Sequence, residues 1–115
     1  MKTKETIIID LEFTGLNNSF ICDNEITELK MRNLSTGKTF FQKFGTDKEL
    51  SLHSRLHNGN VKRYEGEHFS SELFYKAVKS ISSEDAEIDF YGFSIEKDKE
   101  MLSRYDIHIT PPRKL

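Results

Sequence analysis

The residues of this sequence best suited to chemistry are two carboxylates, Asp10 and Glu12, which follow a run of isoleucines, Ile7–Ile9. A continuous run of β-branched apolar residues is typical of a strand covered on both faces. Because side chains alternate along a strand, the two carboxylates point to the same face and repel each other unless they are solvated, protonated or bound to a cation. Gly15 then allows a sharp turn. This pattern predicts a divalent-metal site at the carboxyl end of a central strand.

A third carboxylate, Asp98, lies in a helix predicted over roughly residues 95–105. Helical spacing places it on the apolar face, between Ile95 and Leu102. A carboxylate directed inward is costly unless it is paired. Two interpretations stay open on spacing alone: Asp98 has a partner in the interior, or it interacts with the helix dipole and a nearby lysine.

The elements that must position these groups begin with three strands, at residues 5–12, 25–33 and 39–44. In the second, apolar and charged residues alternate, which is typical of a sheet with one solvated face. Residues 35–38, Ser-Thr-Gly-Lys, form a hairpin turn. The three strands are therefore predicted to form an antiparallel meander.

A strand–helix–strand unit is predicted to follow. Residues 45–68 are polar, with a short helix expected at about 47–57. The next helix is capped by Ser70 or Ser71 and ends near Ile81, with apolar residues at helical spacing. The fourth strand covers residues 88–91, is closed by Gly92, and should lie parallel to the first. The prediction is an α/β domain with a mixed sheet of order 3-2-1-4 and flanking helices.

Composition favours a single cytoplasmic domain spanning residues 1–115. The formal charge of −2 gives no overall attraction to nucleic acid, so such binding would need a local patch. The single cysteine, Cys22, excludes an internal disulfide and suits a reducing compartment. The apolar runs are too short for a targeting or membrane-spanning segment, so no membrane association is expected.

Two segments carry a resemblance to a known family. Asp10–Leu16 resembles the first motif of the DEDD superfamily (DnaQ-like) of 3′–5′ exonucleases, Asp-x-Glu-Thr-Thr-Gly-Leu, with Phe13 in place of the first threonine. Gly92–Asp98 resembles the second motif, Gly-His-Asn-x-x-Phe-Asp. Its glycine and aspartate match in register, and the departures are Phe93, Ser94 and Lys97.

The resemblance implies a ribonuclease H-like fold and hydrolysis of terminal phosphodiesters of single-stranded DNA or RNA. Family members use two Mg²⁺ or Mn²⁺ ions, roughly 4 Å apart. By resemblance, Asp10 would bridge both ions, Glu12 would hold the first and Asp98 the second. These three residues would form the catalytic and metal-binding set. Nucleic acid 3′ ends are the implied partner.

The resemblance also assigns contacts to the substrate. Backbone near Phe13 and Thr14 would contact the terminal nucleotide, and Leu16 would abut its base.

The third motif of the family, an aspartate preceded by a histidine or tyrosine, has no good counterpart. The late candidates Tyr105, Asp106 and His108 have the wrong spacing. The last strand of the family and its motif III helix are expected to be absent, so the domain would be C-terminally truncated and its two-metal site incomplete. The exposed edge beside the fourth strand would then invite a homodimer or a protein partner.

Three accounts of the missing motif stay open. The chain is a piece of a longer exonuclease, a short relative that has lost catalysis, or a domain that takes the missing ligand from a partner. The alternative function is accordingly a catalytically inactive nuclease-fold protein that binds nucleic acid or protein. A third hypothesis is an unrelated α/β domain in which Asp10 and Glu12 are simply solvated.

Weaker signals lie in the polar middle segment. Its histidines His53, His57 and His68 lack the frame of a zinc site and are expected to be solvated. Its cations, next to an aromatic residue, could form a patch for single-stranded nucleic acid or a solvated loop. These residues are Arg55, Lys62, Arg63 and Tyr64.

Overall fold

The computed structural model describes residues 3–14, 25–47, 56, 59, 65–109 and 113–114. Within them, the chain forms five strands and two helices. In chain order these are β1 (Lys4–Phe13), β2 (Ile26–Asn33), β3 (Thr39–Lys43), α1 (Ser71–Ile81), β4 (Glu87–Gly92), α2 (Ile95–Ser103) and β5 (Arg113–Lys114). The predicted elements are found, with bounds that differ by one or two residues. The expected helix at about 47–57 lies outside the described residues, except for Leu56, which is helical.

The strands form one mixed sheet of order β3-β2-β1-β4-β5, with β1 at its centre. β1 pairs with β2 and β2 with β3 in antiparallel fashion, whereas β4 runs parallel to β1. The predicted α/β class, sheet order and strand directions are confirmed.

The expectation that no fifth strand follows β4 is wrong. Arg113 and Lys114 pair in parallel with Tyr91 and Gly92, so a two-residue strand, β5, occupies that stretch of the β4 edge. The parallel connection from β4 to β5 includes α2, which lies between these strands in the chain. The exposed edge proposed for partner binding is therefore covered at the end of β4 nearest Gly92.

The two faces of the sheet differ. Alternate residues of β1, from Glu5 to Phe13, are buried, while Asp10 and Glu12 between them are exposed and Ile8 is half-buried. The buried side chains share one core with those of α1 and α2. The prediction that the strand is covered on both faces is therefore wrong for the described part of the chain: the described helices cover one face, and the other is open.

Helix α1 follows the sequence prediction closely. The Ser70 hydroxyl caps it by accepting a hydrogen bond from the Leu73 N–H at 3.2 Å, an arrangement that stabilises a helix by about 1 kcal/mol. Its buried residues are Phe74, Ala77 and Ile81. Phe74 and Phe69 make an edge-to-face contact, and Phe69 makes another with Tyr105 just beyond α2. These aromatic contacts join the two helices on one side of the sheet.

The end of the sheet at which β1 begins is fixed by a buried polar network. The Asn33 amide donates a hydrogen bond to Glu5 Oε1 at 2.9 Å, and the Ser83 N–H donates to the same oxygen at 3.1 Å. The Asn33 side-chain oxygen accepts from the N–H groups of Ser35 and Thr36 in the hairpin turn. Hydrogen bonds from Ser83, and then from Asn33, lower the pKa of Glu5. The network ties β1, β2 and the segment before β4 together, far from the carboxylates at the other end.

Across the described residues, no helix has the length and apolar character needed to cross a membrane.

Candidate metal centre at the end of the central strand

Asp10 and Glu12 stand on the open face, near the carboxyl end of β1. In the register with β2, Asp10 lies opposite Lys30, and Glu12 lies opposite another carboxylate, Glu28. Burial first, and then the charges of Asp10 and Glu28, raise the pKa of Glu12, partly offset by Lys30. Like charges directly opposite each other are destabilising in a sheet. This corner of the sheet therefore favours a proton or a cation.

Asp98 is brought to the same corner by the turn from β4 into α2. A Cβ atom on Gly92 would lie 2.8 Å from the Ile9 carbonyl oxygen and 3.7 Å from Asp98 Oδ2. Since real Cβ atoms do not approach a backbone oxygen so closely, only glycine allows the end of β4 to pass β1 at this distance. Helix α2 starts three residues later, at Ile95, and places Asp98 in its first turn.

The Asp98 side chain is buried, with 2% of its surface exposed, together with Ile95, Met101 and Leu102. This confirms the inward orientation expected from helical spacing. Its Oδ2 atom is buried and has no hydrogen-bond partner within the part of the chain that the structure describes. A buried polar atom without a partner costs about 1–3 kcal/mol, so the structure leaves one carboxylate oxygen in need of a proton or a positive ligand.

The charges of Asp10 and Glu12 act on Asp98. Burial, followed by the charges of Asp10 and Glu12, raises the pKa of Asp98 to about 7. Among the described residues, no lysine contributes to this shift, whereas the position of Asp98 in the first turn of α2 agrees with an interaction with the helix dipole. Asp98 does not face open solvent, and the charges that raise its pKa are those of Asp10 and Glu12.

A second group of ligating side chains lies at the same end of the sheet. One ligand atom each from Glu25, Asp47 and His68 lies within 4.8 Å of the others, so this group could hold a metal ion. His68 Nε2 is 3.7 Å from Asp47 Oδ1. Among the side chains described, Asp10, Glu12 and Asp98 do not form a set this compact.

Sequence reasoning missed this second group. It treated His68 as a solvated loop residue and did not single out Glu25 or Asp47. The group forms because Gly45, just after β3, pairs with His68, and because the Gly45 N–H donates a hydrogen bond to the Glu67 carbonyl at 3.0 Å. Contacts between segments so distant in the chain leave no local signal in spacing or periodicity.

Of the residues expected to contact substrate, those that the structure describes make contacts within the protein. The Phe13 side chain is in the core. The Thr14 N–H donates to the Glu25 carbonyl at 3.0 Å, and the Thr14 hydroxyl accepts from the Glu25 N–H at 3.1 Å. Leu16 lies outside the described residues, as do Cys22 and all the weaker candidates of the middle segment except His68. Contact of these positions with a nucleotide stays a prediction.

The late candidates for a third motif interact elsewhere. The Tyr105 hydroxyl accepts a hydrogen bond from the Ile26 N–H at 3.3 Å. His108 Nε2 lies 3.3 Å from Asp106 Oδ1, and both side chains are exposed. None of the three is among the groups that raise the pKa of Asp98.

Comparison of the chain with protein-family models and with curated proteins finds no match.

Proposed function

We propose that this chain is a metal-dependent 3′–5′ exonuclease-like domain of the DEDD superfamily, with a ribonuclease H-like fold, that acts on ends of single-stranded DNA or RNA. The observation that supports it is Asp98, whose buried Oδ2 has no hydrogen-bond partner among the described residues and whose pKa is raised by burial and by the charges of Asp10 and Glu12. The mixed sheet order and the helix after β4 agree with the arrangement that the motif resemblance implies.

The donor set fits Mg²⁺ or Mn²⁺. All three side chains offer hard carboxylate oxygens, which these ions prefer. Burial, and then repulsion between the acids, raise the pKa values of Glu12 and Asp98, and a bound cation would offset both effects. Asp10, Glu12 and Asp98 would hold the ions. When bound, such ions supply an activated water and stabilise the leaving oxygen.

The protein residues have separate tasks in this proposal. Asp10 and Glu12 present their oxygens from the exposed face, where a strand end can reach them. Asp98 presents its oxygen from the interior, and the close passage of Gly92 past Ile9 fixes its position. Among the described residues, none next to the three acids is a candidate for the general base that would activate the attacking water.

The missing base favours a second candidate function, a nuclease-fold protein that binds nucleic acid or a protein partner without turnover. The observation behind it is that Tyr105, Asp106 and His108 hydrogen-bond elsewhere. The same carboxylates would then hold an ion that contributes to binding only.

The test combines Mn²⁺ calorimetry with a nuclease assay on a 5′-labelled single-stranded oligonucleotide, offered as DNA and as RNA. We expect wild type to bind Mn²⁺ and release nucleotides from the 3′ end, and expect both properties to be lost in Asp10→Ala and Asp98→Asn. Glu100→Gln, an exposed substitution on the same helix as Asp98, is the matched control and should change neither.

The outcomes separate the hypotheses. Mn²⁺ binding without turnover supports the binding protein. Absence of Mn²⁺ binding contradicts both functions and leaves Asp10 and Glu12 as solvated groups. If His68→Ala abolishes Mn²⁺ binding while Asp98→Asn retains it, the ion occupies the group of Glu25, Asp47 and His68, and the proposed site is wrong.

A further inference from the structure

The open face of the sheet carries an ordered array of side chains that leads to the carboxylates. Cross-strand register places them in rows that run from β3 towards β1 and β4. The row nearest the carboxyl end of β1 is Lys43, Glu28 and Glu12; the next is Phe41, Lys30 and Asp10; the third is Thr39, Arg32, Ile8 and Tyr91. Cations and aromatic rings therefore adjoin the acidic corner.

A groove of about 370 Å³ lies over the second and third rows. Its lining includes Ile8, Asp10, Lys30, Arg32, Thr39 and Phe41. Small-molecule sites begin at about 300 Å³, so the groove has room for a nucleotide-sized group rather than for a folded domain. Asp10 belongs both to the groove and to the carboxylate corner, so the two are continuous.

The cations of the groove are available to an anion. Lys30 and Arg32 are exposed and neighbour each other on one face of β2. The salt bridges among the described residues include neither of them. The Lys30 ammonium lies 5.7 Å from the centre of the Phe41 ring, and 52% of Phe41 remains exposed. An exposed aromatic ring beside two exposed cations suits a stacked base and its flanking phosphates.

We infer that this groove binds single-stranded nucleic acid and directs it to the carboxylates, with phosphates on Lys30 and Arg32 and a base stacked on Phe41. The direction of the strand rests on the proposed function; the binding itself does not. Charge complementarity favours this occupant over a protein surface or a second copy, because the cores of protein interfaces are depleted in charged residues. Here two cations and a carboxylate line the groove.

The test measures binding of fluorescein-labelled ten-nucleotide oligo(dT) and oligo(U) to the full chain by fluorescence anisotropy, with EDTA present. Lys30→Gln/Arg32→Gln should weaken binding about tenfold or more at low salt. It should also reduce the slope of log K against log salt by about 1.4, since each phosphate contact on a single strand contributes about 0.7. Phe41→Leu, which keeps apolar bulk, should weaken binding about tenfold through the loss of one stacked base.

The matched control is Lys76→Gln/Lys79→Gln, which removes the same charge from exposed positions of α1 on the other side of the sheet. It should leave affinity within twofold of wild type. An equal loss in the control would show that charge alone attracts the strand and would overturn the groove. Failure of wild type to bind either oligonucleotide would overturn it as well.

A second copy of the chain is the competing occupant. A concentration-dependent dimer in sedimentation velocity that Phe41→Glu disperses would assign the groove to self-association and overturn the inference. The EDTA in the binding assay keeps this test separate from the proposed function. If the oligonucleotide binds but Asp98→Asn does not affect Mn²⁺ binding, the groove is sustained and the nuclease assignment is removed. If the oligonucleotide does not bind but Asp98→Asn abolishes Mn²⁺ binding, the groove is removed and the nuclease assignment is sustained.

Discussion

Replacing Asp98 by Asn should stabilise the metal-free protein at neutral pH. A carboxyl whose pKa rises from 3.8 to about 7 on folding makes the protein with that carboxyl ionised less stable by up to about 4 kcal/mol, since each pKa unit corresponds to about 1.4 kcal/mol. Solvent screening of the exposed charges on Asp10 and Glu12 reduces this value, so a gain of about 2–4 kcal/mol at pH 8 is expected. Asn has almost the same shape and carries no charge.

The sign of the pH dependence follows from the protons bound. Between pH 4 and 7 the native state keeps the Asp98 proton that the unfolded chain has released, so the free energy of unfolding falls as pH rises. The extra stability is fully present below about pH 4 and is lost as the pH passes through about 7. The two proteins should therefore be nearly equally stable at pH 4. Both Asn and the protonated acid leave a buried polar atom at position 98 without a partner, so this cost does not distinguish the two proteins.

Urea unfolding followed by circular dichroism, at pH 4, 6 and 8 in EDTA, measures this difference. Glu100→Gln serves again as the control, since it removes a carboxylate from the exposed face of the same helix. Adding Mn²⁺ at pH 8 should stabilise wild type and not Asp98→Asn, so the difference in stability between the two proteins should shrink. If Asp98→Asn is less stable than wild type at pH 8 in EDTA, or if the two profiles run parallel from pH 4 to 8, the raised pKa of Asp98 in the folded protein is refuted.

Three further outcomes test other parts of the molecule. Glu5→Gln should remove stability that is present above pH 4.5 and lost as pH falls, because hydrogen bonds lower the pKa of Glu5. Urea unfolding of both proteins at pH 3 and 6 measures this effect. If wild type and Glu5→Gln differ in stability by the same amount at both pH values, the role of the network is contradicted. Gly92→Ala should cost about 1–3 kcal/mol, because its Cβ would meet the Ile9 carbonyl. It should also weaken Mn²⁺ binding in calorimetry, and wild-type affinity would show that Asp98 is positioned without this contact. His68→Ala should abolish any Zn²⁺ binding by the group with Glu25 and Asp47, and retained Zn²⁺ heat would place that ion elsewhere.

Much of the fold could be predicted from local patterns. The alternation in β2 and the strand–helix–strand order were sufficient for the sheet order, because both depend on residues close in sequence. The inward direction of Asp98 followed from its helical spacing relative to Ile95 and Leu102. Both predictions use the periodicity of apolar residues and the order of elements along the chain, because apolar side chains are buried on one face of each element.

Other features depend on contacts that no local pattern contains. A run of isoleucines shows that β1 is apolar but not which faces are covered, and in the described chain Ile8 faces the open side. The pairing of β5 with β4 involves only Arg113 and Lys114, too short a segment to show alternation. The approach of His68 to Asp47 depends on the bridge to Gly45. Each of these features depends on contacts between segments that are distant in the sequence.

The position of the Glu5 network has a consequence for how the molecule responds to acid. Glu5 and Asp10 are five residues apart on one strand, about 17 Å at about 3.3 Å per residue, which exceeds the Debye length of about 8–10 Å. The protonation of each end is therefore independent of the other. One end loses stability on acidification and the other on alkalinisation, so the free energy of unfolding should pass through a maximum at mildly acidic pH. The effects of Glu5→Gln and Asp98→Asn should then simply add in the double variant.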